Sequence, residues 1–287
     1  MICPFQILRK NKFGQLRWTP CGQCKACRLN KAKEWSIRIM NETHYHESNC
    51  FLTITYDDEH LPSSGSISKR ALKLFIMRVR KALAAPFRYY ASGEYGEKSN
   101  RPHYHLILFG VGSDNPIFRN KHYIPKKGGF WCEMNEWPNG QCFVGEVSED
   151  SACYVAKYTM KKLTGKTGKE HYAELGIEPE FALMSLKPGI GAQYIKDNRN
   201  KLRRREYVVG KNGVHYGLPR YYKDKLFAGD GRHKIDVIKR IKEKDEEMSI
   251  SAEKTGKEFW RYREEILQNA KNMVEAFLNM KGKKDEL

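Results

Sequence analysis

An α+β fold is what this sequence predicts, on three observations. Phe51-Leu52-Thr53-Ile54-Thr55-Tyr56 is rich in β-branched and aromatic residues, the composition of a strand. Residues 87–94 and 103–109 read as two more strands, joined by a turn-rich loop with Gly96, Ser99 and Asn100, so 87–109 is a β-hairpin. Between them, Leu72, Phe75, Ile76 and Val79 recur at helical spacing across residues 69–84.

The remaining elements follow in chain order. A helix is expected over 25–47, behind the cysteines at 21, 24 and 27. Asp57, Asp58 and Pro62 end the strand at 51–56, and Ser68 is placed to cap the helix at 69–84, which Pro86 stops. Residues 110–142 are rich in Gly, Pro and Trp and predict loop with short strands; 141–147 predicts a further strand and 151–163 a helix. Residues 164–225 read as irregular and basic. From Ile235 onward Glu and Lys mix with Ile, Leu, Met and Trp260 at helical spacing, which predicts two helices whose end, 281–287, frays. The expected division is one domain over 1–230, including the Cys cluster, and a helical extension over 231–287.

Composition narrows the function. The chain has 287 residues and a formal charge of +18, which predicts an anionic partner, with nucleic acid the default because neutralising phosphates releases counterions. Hydrophobic residues make up 40%, enough for a real core, so wholesale disorder is excluded. Apolar runs such as Leu106-Ile107-Leu108-Phe109 fall far short of the roughly 20 residues that span a bilayer, so no membrane partner is expected. Met1-Ile2-Cys3-Pro4 lacks a basic-then-apolar signal pattern, so the expectation is a non-secreted protein whose eight cysteines sit in a reducing compartment.

Two constellations carry chemistry. Residues two apart in a strand share a face, so His103 and His105 point the same way, about 7 Å apart at Cα. Glu94 ends the preceding strand and can approach that face. Two imidazoles and a carboxylate suit Mn²⁺, with Mg²⁺ open to the same site if water and substrate oxygens complete the shell. A hydrogen-bonded histidine pair and a non-haem iron oxygenase are the competing readings. Asp57 and Asp58 are reserve carboxylates. The second constellation is helical. At about 100° per residue, Tyr154, Lys157, Tyr158 and Lys161 share one arc, while Ala152, Ala156, Thr159, Met160 and Leu163 lie on the far side. Two phenols and two ammoniums then face away from the packing surface, and a neighbouring cation favours the phenolate, a nucleophile for phosphodiesters. The alternative is a pair of amphipathic packing tyrosines.

Together with Gly93-Glu94-Tyr95-Gly96, Arg101-Pro102-His103-Tyr104-His105 and Tyr154-Val155-Ala156-Lys157-Tyr158, the strand at 51–56 resembles the HUH endonucleases that start rolling-circle replication. The likeness is in particular to replication initiators of microviruses of the gokushovirus type. Cys21-Gly22-Gln23-Cys24-Lys25-Ala26-Cys27-Arg28, the run 55–62, the run 184–191 and Leu218-Pro219-Arg220-Tyr221-Tyr222 resemble that group too. The resemblance covers about 1–225. It implies a central antiparallel sheet with flanking helices, the histidine pair on a middle strand and the tyrosines on a helix beside it. It further implies Glu94, His103 and His105 as metal ligands, and Tyr154 and Tyr158 as nucleophiles assisted by Lys157 or Lys161. Tyr104 stands where the family places a bulky hydrophobic residue, and a strand projects it to the opposite face. The implied activity is origin nicking through a 5′-phosphotyrosine link, with a 3′-OH left as primer and the displaced strand rejoined into a circle. Its partners would be single-stranded and replicative-form DNA and a host helicase and polymerase, in the cytoplasm of a bacterial host.

Other signals fill in the surface. Cys21, Cys24 and Cys27 form C-x₂-C-x₂-C, and with Cys3 they suit a structural Zn²⁺ site; no Cys-Pro follows three residues after Cys27, as an iron–sulfur run would have. Residues 164–170 fail the phosphate-loop pattern, since Met160 and Glu170 stand at its fixed positions, and read as a flexible basic loop. Arg101, Lys162, Lys166, Lys201, Arg203, Arg204 and Arg205 are the candidate DNA contacts, and Trp131, Trp137, Tyr221 and Tyr222 either stack on bases or pack in the core. A non-catalytic single-stranded nucleic-acid binder with a zinc module is the alternative function.

Overall fold

The computed structural model describes residues 1–10, 16–96, 99–158 and 165–285. In chain order its elements are β1 (Ile7–Lys10), β2 (Leu16–Thr19), α1 (Lys25–Thr43), β3 (Asn49–Thr55), α2 (Lys69–Leu83), β4 (Arg88–Tyr95), β5 (Pro102–Phe109), β6 (Arg119–Ile124), β7 (Gly129–Glu133) and β8 (Cys142–Gly145). There follow α3 (Glu149–Tyr158), α4 (Gly165–Leu175), β9 (Phe181–Met184), α5 (Ala192–Asp197), α6 (Arg199–Arg205), β10 (Tyr207–Val209), β11 (His215–Gly217), α7 (Arg220–Leu226), α8 (Gly231–Lys254) and α9 (Phe259–Asp285). By contacts the chain forms two compact units, Ala32–Tyr222 and Met1–Lys31 with Lys223–Leu287. The Cys segment thus groups with the C-terminal helices, whereas the expected division placed it with the sheet. Among the described residues no helix is long and apolar enough to cross a membrane.

The unit Ala32–Tyr222 is built on an antiparallel sheet in the order β6-β7-β8-β3-β5-β4-β9. Alternation decides its two faces. Leu52, Ile54, Tyr104, Leu106 and Leu108 point one way, onto Leu72, Phe75, Ile76 and Val79 of α2 and onto Trp137. Ile107, Phe109 and Tyr90 point the other way, onto Ile39 of α1, Ala152 and Val155 of α3, and Ile190. Each of these large side chains adds about 1.5–3 kcal/mol by leaving water. Ser68 caps α2 as its sequence predicts, its hydroxyl accepting from the Ala71 N–H at 3.2 Å. The Ser68 N–H in turn donates to the Tyr104 hydroxyl at 2.8 Å, which ties the start of α2 to β5.

Several expected boundaries shift for local reasons. α3 starts at Glu149 rather than 151, because Ser148 and Ser151 cap it reciprocally: each backbone N–H donates to the other's hydroxyl, at 2.8 and 3.0 Å. Residues 159–163 of that expected helix lie outside the described residues. α1 ends at Thr43, where the Thr43 hydroxyl donates to the Met40 carbonyl at 2.7 Å. The stretch 164–225 is not irregular. It holds α4 to α6, β9 to β11 and most of α7, and residues 165–170, expected as a flexible loop, belong to α4. These elements are short, and apolar anchors such as Phe181, Leu202 and Tyr222 are buried.

The remaining unit carries the β1–β2 hairpin and the two expected C-terminal helices, α8 and α9. Of the end expected to fray, 281–285 continue α9 and 286–287 lie outside the described residues. The hairpin is an addition to the expected elements, because its sequence carries no clear strand-like alternation. Asp230 caps α8 by accepting from the His233 N–H at 3.0 Å. Trp18 of β2 meets Trp260 of α9 edge-on, and the Arg263 guanidinium lies 4.2 Å over the Trp18 ring.

Candidate active site

β5 lies between β3 and β4, and its register sets the site. Glu94 pairs directly with His103, and His105 pairs with Thr53. Directly paired residues share a face, so all four side chains stand on the side of the sheet that α3 covers. Glu94 Oε1 lies 2.7 Å from His103 Nε2 and 2.9 Å from His105 Nε2. Neighbouring donors about 2.1 Å from an octahedral ion sit about 3.0 Å apart, so the three atoms fit corners of one small coordination shell. Glu94 and His105 are buried and His103 is partly exposed, which leaves an open side.

The rings are held from behind. His103 Nδ1 meets the Arg101 carbonyl at 2.9 Å, and His105 Nδ1 meets the Thr53 hydroxyl at 2.8 Å. Both contacts leave Nε2 facing Glu94, the arrangement by which outer partners orient metal-binding imidazoles. Burial alone would raise the Glu94 carboxyl, but hydrogen bonds from His103 and His105 outweigh it and hold the group below its ordinary value. Gly93 faces the other way, where a Cβ would come 2.8 Å from the Phe181 ring, so β9 closes over β4 only with no side chain there.

α3 brings the phenol. Ala152, Val155 and Ala156 are buried, as the packing face requires. Tyr154 on the other side is 43% exposed, and its ring stands edge-on to His105 with centroids 5.1 Å apart. Phe51 stacks on His105 at 5.8 Å and meets Tyr154 at 6.3 Å. Phe51 and Thr53 were not among the expected site residues. Their period-two spacing puts them on one face, but only the pairing of β3 with β5 shows whose face it is. Lys157 is half-buried on the same helix. Tyr158 ends α3; its side chain, that of Lys166, and all of Lys161 and Lys162 lie outside the described residues. Tyr104 projects to the opposite face as expected, where burial and the Tyr56 hydroxyl at 3.1 Å raise its phenol, so it remains a neutral core residue.

The other expected site residues separate. Asp57 bonds His60 at 2.7 Å and Asp58 bonds Arg101 at 2.7 Å, so neither reserve carboxylate joins the histidine cluster. Arg101 also donates to the Tyr56 carbonyl at 3.0 Å, which makes it a loop tie before it can be a DNA contact. Lys201, Arg204 and Arg205 are exposed on α6 and Arg203 is half-buried, with Leu202 turned inward. Trp137 and Tyr222 are buried, and Arg38 covers the Tyr221 ring at 4.1 Å, so these three pack rather than present stacking faces. Trp131 stays half-exposed beneath Lys127, 4.7 Å above it. The expected Cys cluster does assemble, with Cys3, Cys21, Cys24 and Cys27 converging in the other unit.

Comparison with known proteins places this geometry. The pattern of a family of replication-associated proteins, that of ORF2, matches residues 49–163, which span Glu94, His103, His105, Tyr154 and Tyr158. The chain is 34% identical to Replication-associated protein VP4 of Bdellovibrio phage phiMH2K, over 80% of this chain and 74% of that one. It is 31% identical to Replication-associated protein ORF2 of Spiroplasma virus 4, over 78% and 73%. It is 27% identical to Replication-associated protein ORF4 of Chlamydia phage 1, over 72% and 53%. No solved structure matches. The chain belongs to the family of microvirus replication-associated proteins.

Proposed function

We propose that this protein initiates rolling-circle replication as a metal-dependent tyrosine DNA endonuclease and strand transferase. The observation that carries the reading is the Tyr154 ring set 5.1 Å from His105, within the cluster of Glu94 and two histidines. Glu94, His103 and His105 would hold Mn²⁺ or Mg²⁺. Such an ion, when bound, supplies positive charge to the oxygens of the scissile phosphate.

The chain's own residues do the rest. The Tyr154 phenol gives up its proton, favoured by the Lys157 ammonium one turn along the helix. Its oxygen bonds to phosphorus in line, and the bond from phosphorus to the 3′ oxygen breaks. That oxygen takes up a proton and leaves as a 3′-OH primer, while the 5′ end stays on the tyrosine. The linkage conserves the phosphoester, so rejoining needs no nucleotide. Tyr158, the next phenol on the same arc, makes the second cut; the 3′-OH then released attacks the first linkage and closes a circle. DNA is the substrate partner, a host polymerase extends the primer, and a host helicase or supercoiling separates strands in the bacterial cytoplasm.

The test is incubation with an origin-like single-stranded oligonucleotide and Mn²⁺. A protein–DNA adduct that survives denaturant, with the modified peptide mapping to Tyr154 or Tyr158, is the expected result. An adduct that persists when both tyrosines are changed to Phe overturns the assignment.

A further inference from the structure

We propose that Cys3, Cys21, Cys24 and Cys27 form a mononuclear structural zinc site that clips the N-terminal hairpin to the start of α1. The four sulfurs converge although they come from two stretches of chain. Cys3 Sγ lies 3.6 Å from Cys21 Sγ and 3.7 Å from Cys24 Sγ, and Cys21 Sγ lies 4.0 Å from Cys27 Sγ. Four thiolates about 2.3 Å from one tetrahedral ion stand about 3.8 Å apart, so the cage matches a single zinc. An iron–sulfur cluster spreads four thiolates over more than one iron, and so farther apart than this. Disulfide bonding is not the reason for the convergence, since all four cysteines are free.

Backbone donors point at the same atoms. The Cys21 N–H donates to Cys3 Sγ at 3.3 Å, and the Gln23 and Cys24 N–H groups donate to Cys21 Sγ at 3.4 and 3.3 Å. Donors of this kind stabilise sulfur in its thiolate form, the form that binds metal. Cys24 and Cys27 also flank the first turn of α1, where the helix dipole favours negative charge.

The clip has a structural task. Cys3 precedes β1 and Cys21 follows β2, so the site closes the segment that contains the hairpin. That hairpin has only four residue pairs, and β1 is exposed along its whole length. A lone two-stranded hairpin is marginal in water, so burial alone does not hold this one. A further tie helps: the Met1 ammonium donates to the Asn30 side chain at 3.0 Å, and the Asn30 amide donates to the Met1 carbonyl at 2.8 Å.

The site shares no residue with the Glu94 cluster and lies outside the family match at 49–163, so the two readings stand or fall separately. The full chain, purified in reductant without chelator, is expected to carry about one zinc, unchanged in Glu94→Ala/His103→Ala and lost in Cys21→Ser/Cys24→Ser. Titrating Co²⁺ into the stripped wild-type chain is expected to give thiolate-to-cobalt charge-transfer absorption, which the Glu94/His103 cluster cannot produce; this readout stands even if the cysteine variant misfolds. Zinc below about a tenth per chain, iron in its place, or cobalt absorption without charge-transfer bands overturns the proposal. The clip predicts that zinc removal speeds tryptic cleavage at Arg9, Lys10 and Arg17 at least about tenfold. Equal rates with and without zinc overturn the structural role.

Discussion

Thr53 meets the candidate ligand His105 through Nδ1, at 2.8 Å. It is a positioning residue: its hydroxyl fixes the ring so that Nε2 faces Glu94. Thr53→Val keeps the strand and its shape but removes that partner, and is expected to raise the Mn²⁺ concentration needed for nicking by about tenfold or more. A merely structural role would instead lower the thermal midpoint of the metal-free chain, so the two are measured side by side. Glu94→Gln keeps the size of the carboxylate and removes its charge; Mn²⁺-dependent adduct formation is expected to fall by about 100-fold, read from single-turnover rates. Much of this site was legible residue by residue. His103, His105 and Glu94 follow from strand alternation and a hairpin, and Tyr154 from helical arithmetic. Thr53 and Phe51 were not, because a strand's own sequence does not say which neighbour it pairs with.

At the scale of elements, Glu42 shows how α1 is locked onto the sheet. Its carboxylate lies 2.6 Å from Arg88 Nε of β4, 3.3 Å from His46 Nε2, and accepts from the Gly191 N–H at 2.6 Å. Burial pushes this carboxyl up; the His46 hydrogen bond, the Gly191 donor and the Arg88 charge outweigh it and hold it below its ordinary value of 4.5. A carboxyl depressed on folding adds stability that is fully present above the ordinary value and is lost as pH falls through the folded one. Glu42→Gln is therefore expected to cost about 2 kcal/mol in urea unfolding at neutral pH, with the gap to wild type narrowing as the solution is acidified below 4.5. Ser68→Ala should cost about 1 kcal/mol in the same assay, since it removes the cap of α2. The long elements were readable because each carries enough turns or rungs to show a period. β9 has four residues and α6 seven, too few for a period to stand out, and what fixes them is tertiary: β9 exists as the partner of β4.

For the whole molecule, the surplus of +18 sets how DNA affinity responds to salt. Each neutralised phosphate of a single strand adds about 0.7 to the slope of log affinity against log salt. Replacing Lys201, Arg203, Arg204 and Arg205 together by Ala is expected to shrink that slope by up to about 3 for an origin-like strand, with little change in sequence preference. Fluorescence anisotropy across a salt series measures it, and an unchanged slope would place the DNA path elsewhere. The grouping of 1–31 with the C-terminal helices was invisible in the sequence, because it rests on contacts such as Trp18 with Trp260 between the two ends of the chain.

Tyr104 sits between the two histidines in sequence and behind them in space, hydrogen-bonded to Tyr56 and to the start of α2. The triplet works as a rivet: its outer members hold the reactive side and its shank passes through β5 into the oily layer beneath. Slippage of that strand by one rung would turn the imidazoles into the interior and thrust Leu106 and Leu108 into the cleft. Misregistered chains would thus lose their packing along with their ligand geometry, and the ordinary selection against unfolded protein would remove inactive registers as well.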